Sequence, residues 1–508
     1  MATHKQVVLV ILDGWGYREE KKHNAILQAR TPFFDSLWRE YPHTLLTASG
    51  EAVGLPPGQM GTSEIGHPAL GTGTIIDQDL VRISKAARNN EFLDNPAFRE
   101  LFDHVKKNRS TLHVVGLTSP GGVHSHQEHL HAFLKAAKDS DVEKVVIHAF
   151  TDGRDLPPQQ AHAHLEELER YLETLGIGVI ATAVGRYYGM DRDSNWDRIA
   201  KAEEAIFERQ GSAHKGKKPS AVLRELYEKE NAQDEFLEPL VFVDETGRDY
   251  AVRDNDGIMF VNFRSERTRQ LSKRITERTK NKNIFFVTMT DYDRGSGIID
   301  ARVAFPPLTV ETTLAAHVSK AGLTQAHIAE TDKYAHVTYF FNGGSHEVHA
   351  GEEHVLVESR KDVKTHDLAP EMRAKEVADK VIEYIGKGTN FIVVNIANAD
   401  ILGHTAIVPA IVKGLEFVDA QLKRIVEAAG KAGTPVFVTA DHGNAEINVH
   451  EKTGEPHTAH TASPVPGILT LKGVKLRDGG SLADVAPTIL ELFGLPVPSS
   501  MTGKSLIA

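Results

Sequence analysis

The sequence predicts an α/β protein of two domains, one inserted into the other, and three observations carry that expectation. At 508 residues the chain is too long for one ordinary hydrophobic core. Short apolar runs that read as buried strands alternate with segments of helical periodicity such as QQAHAHLEELERYLETL, as parallel α/β architecture requires. The runs followed by acids and histidines (7–12, 391–397 and 435–440) lie near the two ends, and a second series of runs lies between them. The two ends are therefore expected to build one domain around an insert.

Taken in order, VVLVIL (7–12) leads into Asp13, and six apolar residues are too few for a signal-peptide core or a membrane span. GQMGTSEIGHPALG surrounds Ser63 with glycines, which allow the close backbone approach and unusual dihedrals of a loop that projects a nucleophile toward a phosphate; an ordinary turn is the alternative. The crossing into the insert is expected near GTGTIIDQD (71–79). The insert's strands follow: LHVVGL (112–117), KVVIHAF (144–150), GVIATAV (178–184), GIMFVNF (257–263) and IFFVTM (285–290). HKGKKPS (214–220) reads as a solvated loop. The return crossing is expected in GIIDARVAFPPLTVETT (297–313), which the Pro-Pro pair stiffens. The predicted division is 1–77 plus 310–508 for one domain and 78–309 for the insert. Two covalent crossings form a hinge, an arrangement compatible with a monomer.

Hydrophobic content of 41% and charged content of 25% are those of a soluble globular protein. The absence of cysteine excludes disulfides, thiolate zinc sites and a cysteine nucleophile, and suits a reducing cytosol. No stretch reaches the roughly 18 apolar residues of a spanning helix, so no membrane partner and a cytoplasmic location are expected. A net charge of −11 argues against nucleic acid.

Seven residues have the chemistry of a two-metal centre: Asp13, Ser63, Asp400, His404, Asp441, His442 and His460. Three of the acids follow strand-like runs, and in an open parallel sheet ligands gather beyond the carboxyl ends of the strands. Asp400 and His404, spaced i, i+4, share one face of a helix or tight turn. Asp441 and His442 are adjacent and can share an ion only through a turn, which Gly443 permits. Oxygen and imidazole donors suit manganese, zinc or magnesium. A serine beside two cations is a candidate nucleophile, because cations stabilise the alkoxide.

A second constellation follows the middle strands. GGVHSHQEH supplies His124 and His126, TDGRD supplies Asp152, Arg154 and Asp155, GRYYGMDRD supplies Arg186 and Arg192, and NFRSER supplies Arg264 and Arg267. Arginine forks pair bidentately with phosphate and carboxylate. The alternative is salt bridging between strands. Asp155 among arginines can act as a general base. Lys333, in AETDKYAHVTYFFNGG, returns to the metal-bearing side and can offset charge on a transferring phosphoryl group.

ILDGWG, GGVHSHQEH, HAFTDGRD, GRYYGMDRD, NFRSERTRQ, KYAHVTYFFNGG, TADHGNAE and HTAHTASPVP occur in this order over nearly the whole chain. Together they resemble the cofactor-independent phosphoglycerate mutases, a metal-dependent branch related in fold to alkaline phosphatases. The resemblance implies interconversion of 3-phosphoglycerate and 2-phosphoglycerate through a phosphoserine, with no 2,3-bisphosphoglycerate required. By motif, it puts the phosphoryl group on Ser63. It assigns one manganese to Asp400, His404 and His460, and the other to Asp13, Ser63, Asp441 and His442. Substrate contacts fall on His124, Arg154, Asp155, Arg186, Arg192, Arg264, Arg267 and Lys333, with Lys333 and Arg264 taking up phosphoryl charge. Thr62 stands where the family commonly has Asn, Asp332 where it has Glu, and ESRKDVKTHD (358–367) is less typical. A phosphomonoesterase or other mutase on the same metal core, and a non-enzymatic metal-binding protein, are the competing expectations.

Overall fold

The computed structural model describes residues 3–248, 250–308, 310 and 312–508. It divides the chain into two compact units, Met1–Gln78 with Thr309–Ala508 and Asp79–Leu308. The expected return crossing at 297–313 includes residues 309 and 311, which lie outside the described residues.

In the first unit, eight strands form one sheet in the spatial order Glu352–Val357, Gln325–Glu330, Phe391–Ile396, Val7–Leu12, Val436–Thr439, Val465–Leu469, His43–Thr47, Gly480–Ser481. The first five are mutually parallel. Val7–Leu12 and Phe391–Ile396 are buried along their whole length, which explains why they read as unbroken apolar runs instead of alternating ones. Helices such as Ala374–Lys387 and Val408–Lys431 cover the sheet through apolar stripes including Val377, Val381, Ile411, Leu415 and Leu422.

This topology positions the chemistry. Four adjacent parallel strands, Gln325–Glu330, Phe391–Ile396, Val7–Leu12 and Val436–Thr439, all end on the same edge. Just past those ends come Lys333, Asp400, Asp13 and the pair Asp441–His442. Neighbouring strands are about 4.8 Å apart, so residues from distant parts of the chain fall within side-chain reach.

The second unit holds another eight-stranded sheet, ordered Arg302–Phe305, Phe285–Thr290, Gly257–Phe260, Leu112–Leu117, Val145–Thr151, Val179–Gly185, Leu240–Val243, Ser212–Lys215. All pairings are parallel except that of Val179–Gly185 with Leu240–Val243. His124, the TDGRD segment, Arg186 and the NFRSER segment follow the carboxyl ends of four adjacent strands of this sheet.

Two expectations need correction. HKGKKPS is not wholly a loop: His214 and Lys215 belong to the solvent-exposed edge strand, and Pro219 opens the helix Pro219–Glu230. Charge on an edge strand discourages further pairing, which is why the segment looked merely solvated. The Ser63 segment is not a loop or turn but the helix Ser63–Thr72, with the serine as its first residue. Its glycines serve close packing. A Cβ at Gly66 would stand 2.5 Å from the Asp441 carbonyl oxygen, and one at Gly71 would stand 2.0 Å from that of Phe341. No helix among the described residues is long and apolar enough to cross a membrane.

Candidate active site

The ammonium of Lys333 organises the centre of the first unit. It donates to Asp13 Oδ1 (2.7 Å), Asp400 Oδ2 (2.7 Å) and Ser63 Oγ (2.8 Å). The lysine is only 4% exposed. Its burial favours the neutral amine, but Asp13, Asp400 and Asp441 outweigh that and hold its pKa above the usual lysine range.

Ser63 sits at the N-terminus of its ten-residue helix, where the helix dipole favours negative charge on the hydroxyl or on a phosphate. Its Oγ lies 3.0 Å from His442 Nε2 and 3.4 Å from Asp13 Oδ1. With Lys333 donating to Oγ, these two atoms are the acceptors available to the hydroxyl proton.

Asp400 lies in the short helix Asn398–Gly403, and His404 caps that helix, so the i, i+4 pair does share one face. Asp400 Oδ1, His404 Nε2 and His460 Nε2 form a near-equilateral triangle, with separations of 3.2, 3.2 and 3.1 Å. A tetrahedral ion with ligand bonds of about 2.0–2.1 Å has ligand edges of about 3.3 Å. Both imidazoles are oriented for this role: His404 Nδ1 donates to Thr458 O (2.7 Å) and His460 Nδ1 to Gly61 O (2.9 Å). A backbone carbonyl on Nδ1 leaves the Nε2 lone pair for a cation.

Asp13, Asp441 and His442 surround the serine on its other side. His442 Nε2 is 3.6 Å from Asp13 Oδ1 and 3.4 Å from Asp441 Oδ2. Asp441 Oδ1 accepts from the backbone N–H groups of Gly14 and His442, whereas its Oδ2 is buried without a hydrogen-bond partner. An orphaned carboxylate oxygen facing an imidazole nitrogen is what a cation would satisfy, so the residues fit divalent metal. Gly443 is required here for closeness, not for its conformational freedom. A side chain on it would stand 2.3 Å from Thr461 Oγ1 and 2.6 Å from Glu446 Oε1.

The electrostatics are polarised. Burial first, then the charge of Asp441, pushes the Asp13 carboxyl up. Burial works in the same direction on Asp400 and Asp441 but is outweighed. Hydrogen bonds from His404 and His460 hold Asp400 well below the ordinary range, and His442 and His67 hold Asp441 below it. The Asp400 hydrogen bond raises His404. In His460 burial acts the other way, and the same carboxylate overcomes it.

Residues missed in the sequence complete the centre. His67 is fully buried one helical turn after Ser63. It donates through Nδ1 to Ser63 O (3.1 Å), lies 3.3 Å from Asp441 Oδ2, and groups with Asp13 and Asp441 as a possible ligand set. Asn395 Nδ2 donates to Asp13 Oδ2 (2.6 Å) and to His67 Nε2 (3.0 Å), and Asn444 Nδ2 to Asp400 Oδ1 (3.0 Å). The i, i+4 spacing of Ser63 and His67 and the polar residue inside FIVVNIAN were the available signals.

In the second unit Arg186 is buried and paired with Asp152 (2.8 Å) and Asp155 (2.6 Å) through Nη1, so for this arginine the salt-bridge alternative holds at least in part. Asp152 also accepts from Ser119 Oγ and from the backbone of Arg154 and Asp155. Arg154 reaches Glu235 only at 3.4 Å and is half exposed. The side chains of Arg192 and Arg264 are exposed and reach no carboxylate among the described residues, while Arg267 donates to Met190 O. Burial lowers the Arg267 pKa, and the charges of Arg192, Arg186 and Arg154 lower it further against the opposing pull of Asp193, a sign of concentrated positive charge. His124 is buried and pushed down to about 4, first by burial and then by Arg186. His126 has a structural role, accepting through its ring from the N–H of Glu128 at a helix start.

A family profile described as BPG-independent PGAM N-terminus matches residues 83–294, and one described as type I phosphodiesterase / nucleotide pyrophosphatase matches residues 271–488. The chain is 47% identical to 2,3-bisphosphoglycerate-independent phosphoglycerate mutase 2 of Methanosarcina acetivorans, over 99% of this chain and 98% of that one. It is 44% identical to the corresponding mutase of Clostridium botulinum, over 99% and 100% of the two chains. A crystal structure of Leishmania mexicana phosphoglycerate mutase at low cobalt concentration superposes with a TM-score of 0.54 at 28% identity, covering 99% of this chain and 98% of that one.

Proposed function

The chain belongs to the 2,3-bisphosphoglycerate-independent phosphoglycerate mutases, and from that premise we propose that it interconverts 3-phosphoglycerate and 2-phosphoglycerate through a phosphoserine at Ser63. The observation that supports this reading most is the placement of Ser63 Oγ. It is 3% exposed, at a helix N-terminus, between a lysine ammonium and two sets of metal-type donors.

Asp400, His404 and His460 are proposed to hold one manganese, and Asp13, Asp441 and His442 with Ser63 the other. The bound ions would neutralise phosphate charge and favour the serine alkoxide. The chain's own groups do the rest. Lys333 donates to Oγ and can follow the developing charge as the phosphoryl group arrives, and the helix N-terminus adds its dipole. The P–O bond to glycerate breaks as the bond to deprotonated Oγ forms, and the departing oxygen takes a proton from the acid form of Asp155, leaving glycerate with a free hydroxyl. Return of the phosphoryl group to the other hydroxyl requires that hydroxyl to lose its proton, the role proposed for Asp155, which Arg186 holds in place.

The exposed and unmatched guanidinium groups of Arg192 and Arg264, with Arg154, Arg186, Arg267 and His124, are proposed to hold substrate phosphate and carboxylate. The phosphoserine would have to be kept from water, since its hydrolysis would convert a mutase into a phosphatase, and the burial of Ser63 supports that requirement.

The test is the Ser63→Ala variant, incubated with 3-phosphoglycerate and manganese without added bisphosphoglycerate. Loss of 2-phosphoglycerate formation with near-normal metal content supports the assignment. Retained turnover removes the serine from the mechanism.

A further inference from the structure

Outside the active site, another group of ligating side chains converges in the first unit: His327, Glu352 and His354. It lies where the strands Gln325–Glu330 and Glu352–Val357 pair in parallel, with Gln325 opposite Glu352 and His327 opposite His354. The period-two alternation of strands puts all four on one face. The side chains of His327 and Glu352 are fully buried, and that of His354 is 18% exposed.

With a neutral His327 the hydrogen-bond arithmetic does not close. Gln325 Nε2 donates to Ala315 O (2.9 Å), which fixes the amide so that Oε1 faces His327 Nε2 at 3.2 Å. A neutral imidazole carries one hydrogen, so it cannot donate both there and at Nδ1. Yet Nδ1 faces two acceptors, Val337 O at 2.6 Å and Glu352 Oε1 at 3.7 Å. Glu352 Oε1 is also 2.6 Å from His354 Nε2 and accepts from Asn342 Nδ2 at 2.8 Å, while Glu352 Oε2 takes the N–H of His349. Asn342 Oδ1 is buried with no partner. No lysine or arginine among the described residues pairs with Glu352.

The cluster thus brings a buried carboxylate and two imidazoles together, with no lysine or arginine beside them among the described residues.

We propose that His327 Nδ1, Glu352 Oε1 and His354 Nε2 bind a divalent cation of the zinc class, separate from the active-site ions. Two imidazoles and one carboxylate are a donor set that zinc favours. The donor atoms lie within 4.8 Å of one another, so small movements suffice, with the ion replacing the short Nδ1 contact to Val337 O. The site joins the strands Gln325–Glu330 and Glu352–Val357, and Lys333 follows the first of them three residues after its end. The ion therefore steadies the strand that leads into the lysine, and its role is structural.

The experiment counts zinc bound per chain, on full-length protein equilibrated with zinc chloride and freed of excess by gel filtration. His354→Ala and Glu352→Gln are each expected to hold one equivalent less than wild type, with mutase activity retained after manganese loading. In a background of Asp400→Ala with Asp441→Ala, one tight equivalent should remain, and adding His354→Ala should remove it. Circular dichroism confirms folding, and His354→Gln, closer in volume, replaces the alanine variant if that fails to fold. Zinc content unchanged by these substitutions overturns the proposal and leaves the cluster a proton-bridged network.

Discussion

Replacing Lys333 by methionine removes the ammonium while keeping most of the side-chain volume, and its consequence can be worked from the contacts. The ammonium stands 2.7 Å from a carboxylate oxygen of both Asp13 and Asp400 in a buried setting. At an effective dielectric of about 20, each contact is worth about 6 kcal/mol of Coulomb attraction before desolvation is subtracted. Breaking such a buried pair by removing one partner typically costs about 3–5 kcal/mol, because the acids remain without compensation. For a unit of this size that is a fall of roughly 5–8 °C in melting temperature. The assay is thermal unfolding with chelator and again with saturating manganese. Divalent ions neutralise the same carboxylates, so manganese should recover much of the loss, and the metal-induced rise should be larger in Lys333→Met than in wild type. A variant as stable as wild type in chelator, or one that gains no more from manganese, would refute the claim that lysine and metal neutralise the same acids.

Three further outcomes are expected. Hydrogen bonding to Asp400 raises the pKa of His404 and His460, so protons compete for the Nε2 lone pairs as pH falls through that raised range. Activity should decline on mild acidification, and with two protons displaced per ion a tenfold excess of manganese should move the midpoint down by about half a pH unit; a pH profile indifferent to metal contradicts this. Arg264→Met should lower kcat/KM by about 10²–10³-fold, as for loss of one transition-state donor, with bound metal unchanged by elemental analysis. Burial holds Glu330 at about 7 against an ordinary 4.5. Between those values the folded state keeps a proton that the unfolded state has released, so stability falls as pH rises through the window. Glu330→Gln should thus be the more stable form at pH 8, by at most about 3 kcal/mol, and should lose that advantage near pH 4; parallel stability curves for the two proteins would contradict it.

Much of this molecule was legible because parallel sheets write themselves plainly. Fully buried strands such as Val7–Leu12 appear as uninterrupted apolar runs, and the acids beyond them fall where strand ends converge. The expected strands recur within a residue or so at most boundaries, although GIMFVNF shortens to Gly257–Phe260. Where the sequence misled, a local cue had two meanings. The glycines around Ser63 suggested a loop or turn, but Gly66 and Gly71 are small so that a helix can pack against the Asp441 and Phe341 backbone. His67 and Asn395 escaped notice because a buried polar residue is recognised by its partners, and those lie hundreds of positions away or one helical turn back. The arginines were visible as a set, but only the structure distinguishes Arg186, paired and buried, from Arg264, exposed and unmatched.

The most direct measurement is phosphopeptide mapping of enzyme quenched in acid during turnover of labelled 3-phosphoglycerate. The phosphoryl label should sit on Ser63, appear only with divalent metal present, and pass on to 2-phosphoglycerate in a chase. Label on another residue, or label on Ser63 that forms equally well after chelation, would contradict the convergence of distant donors around one activated hydroxyl.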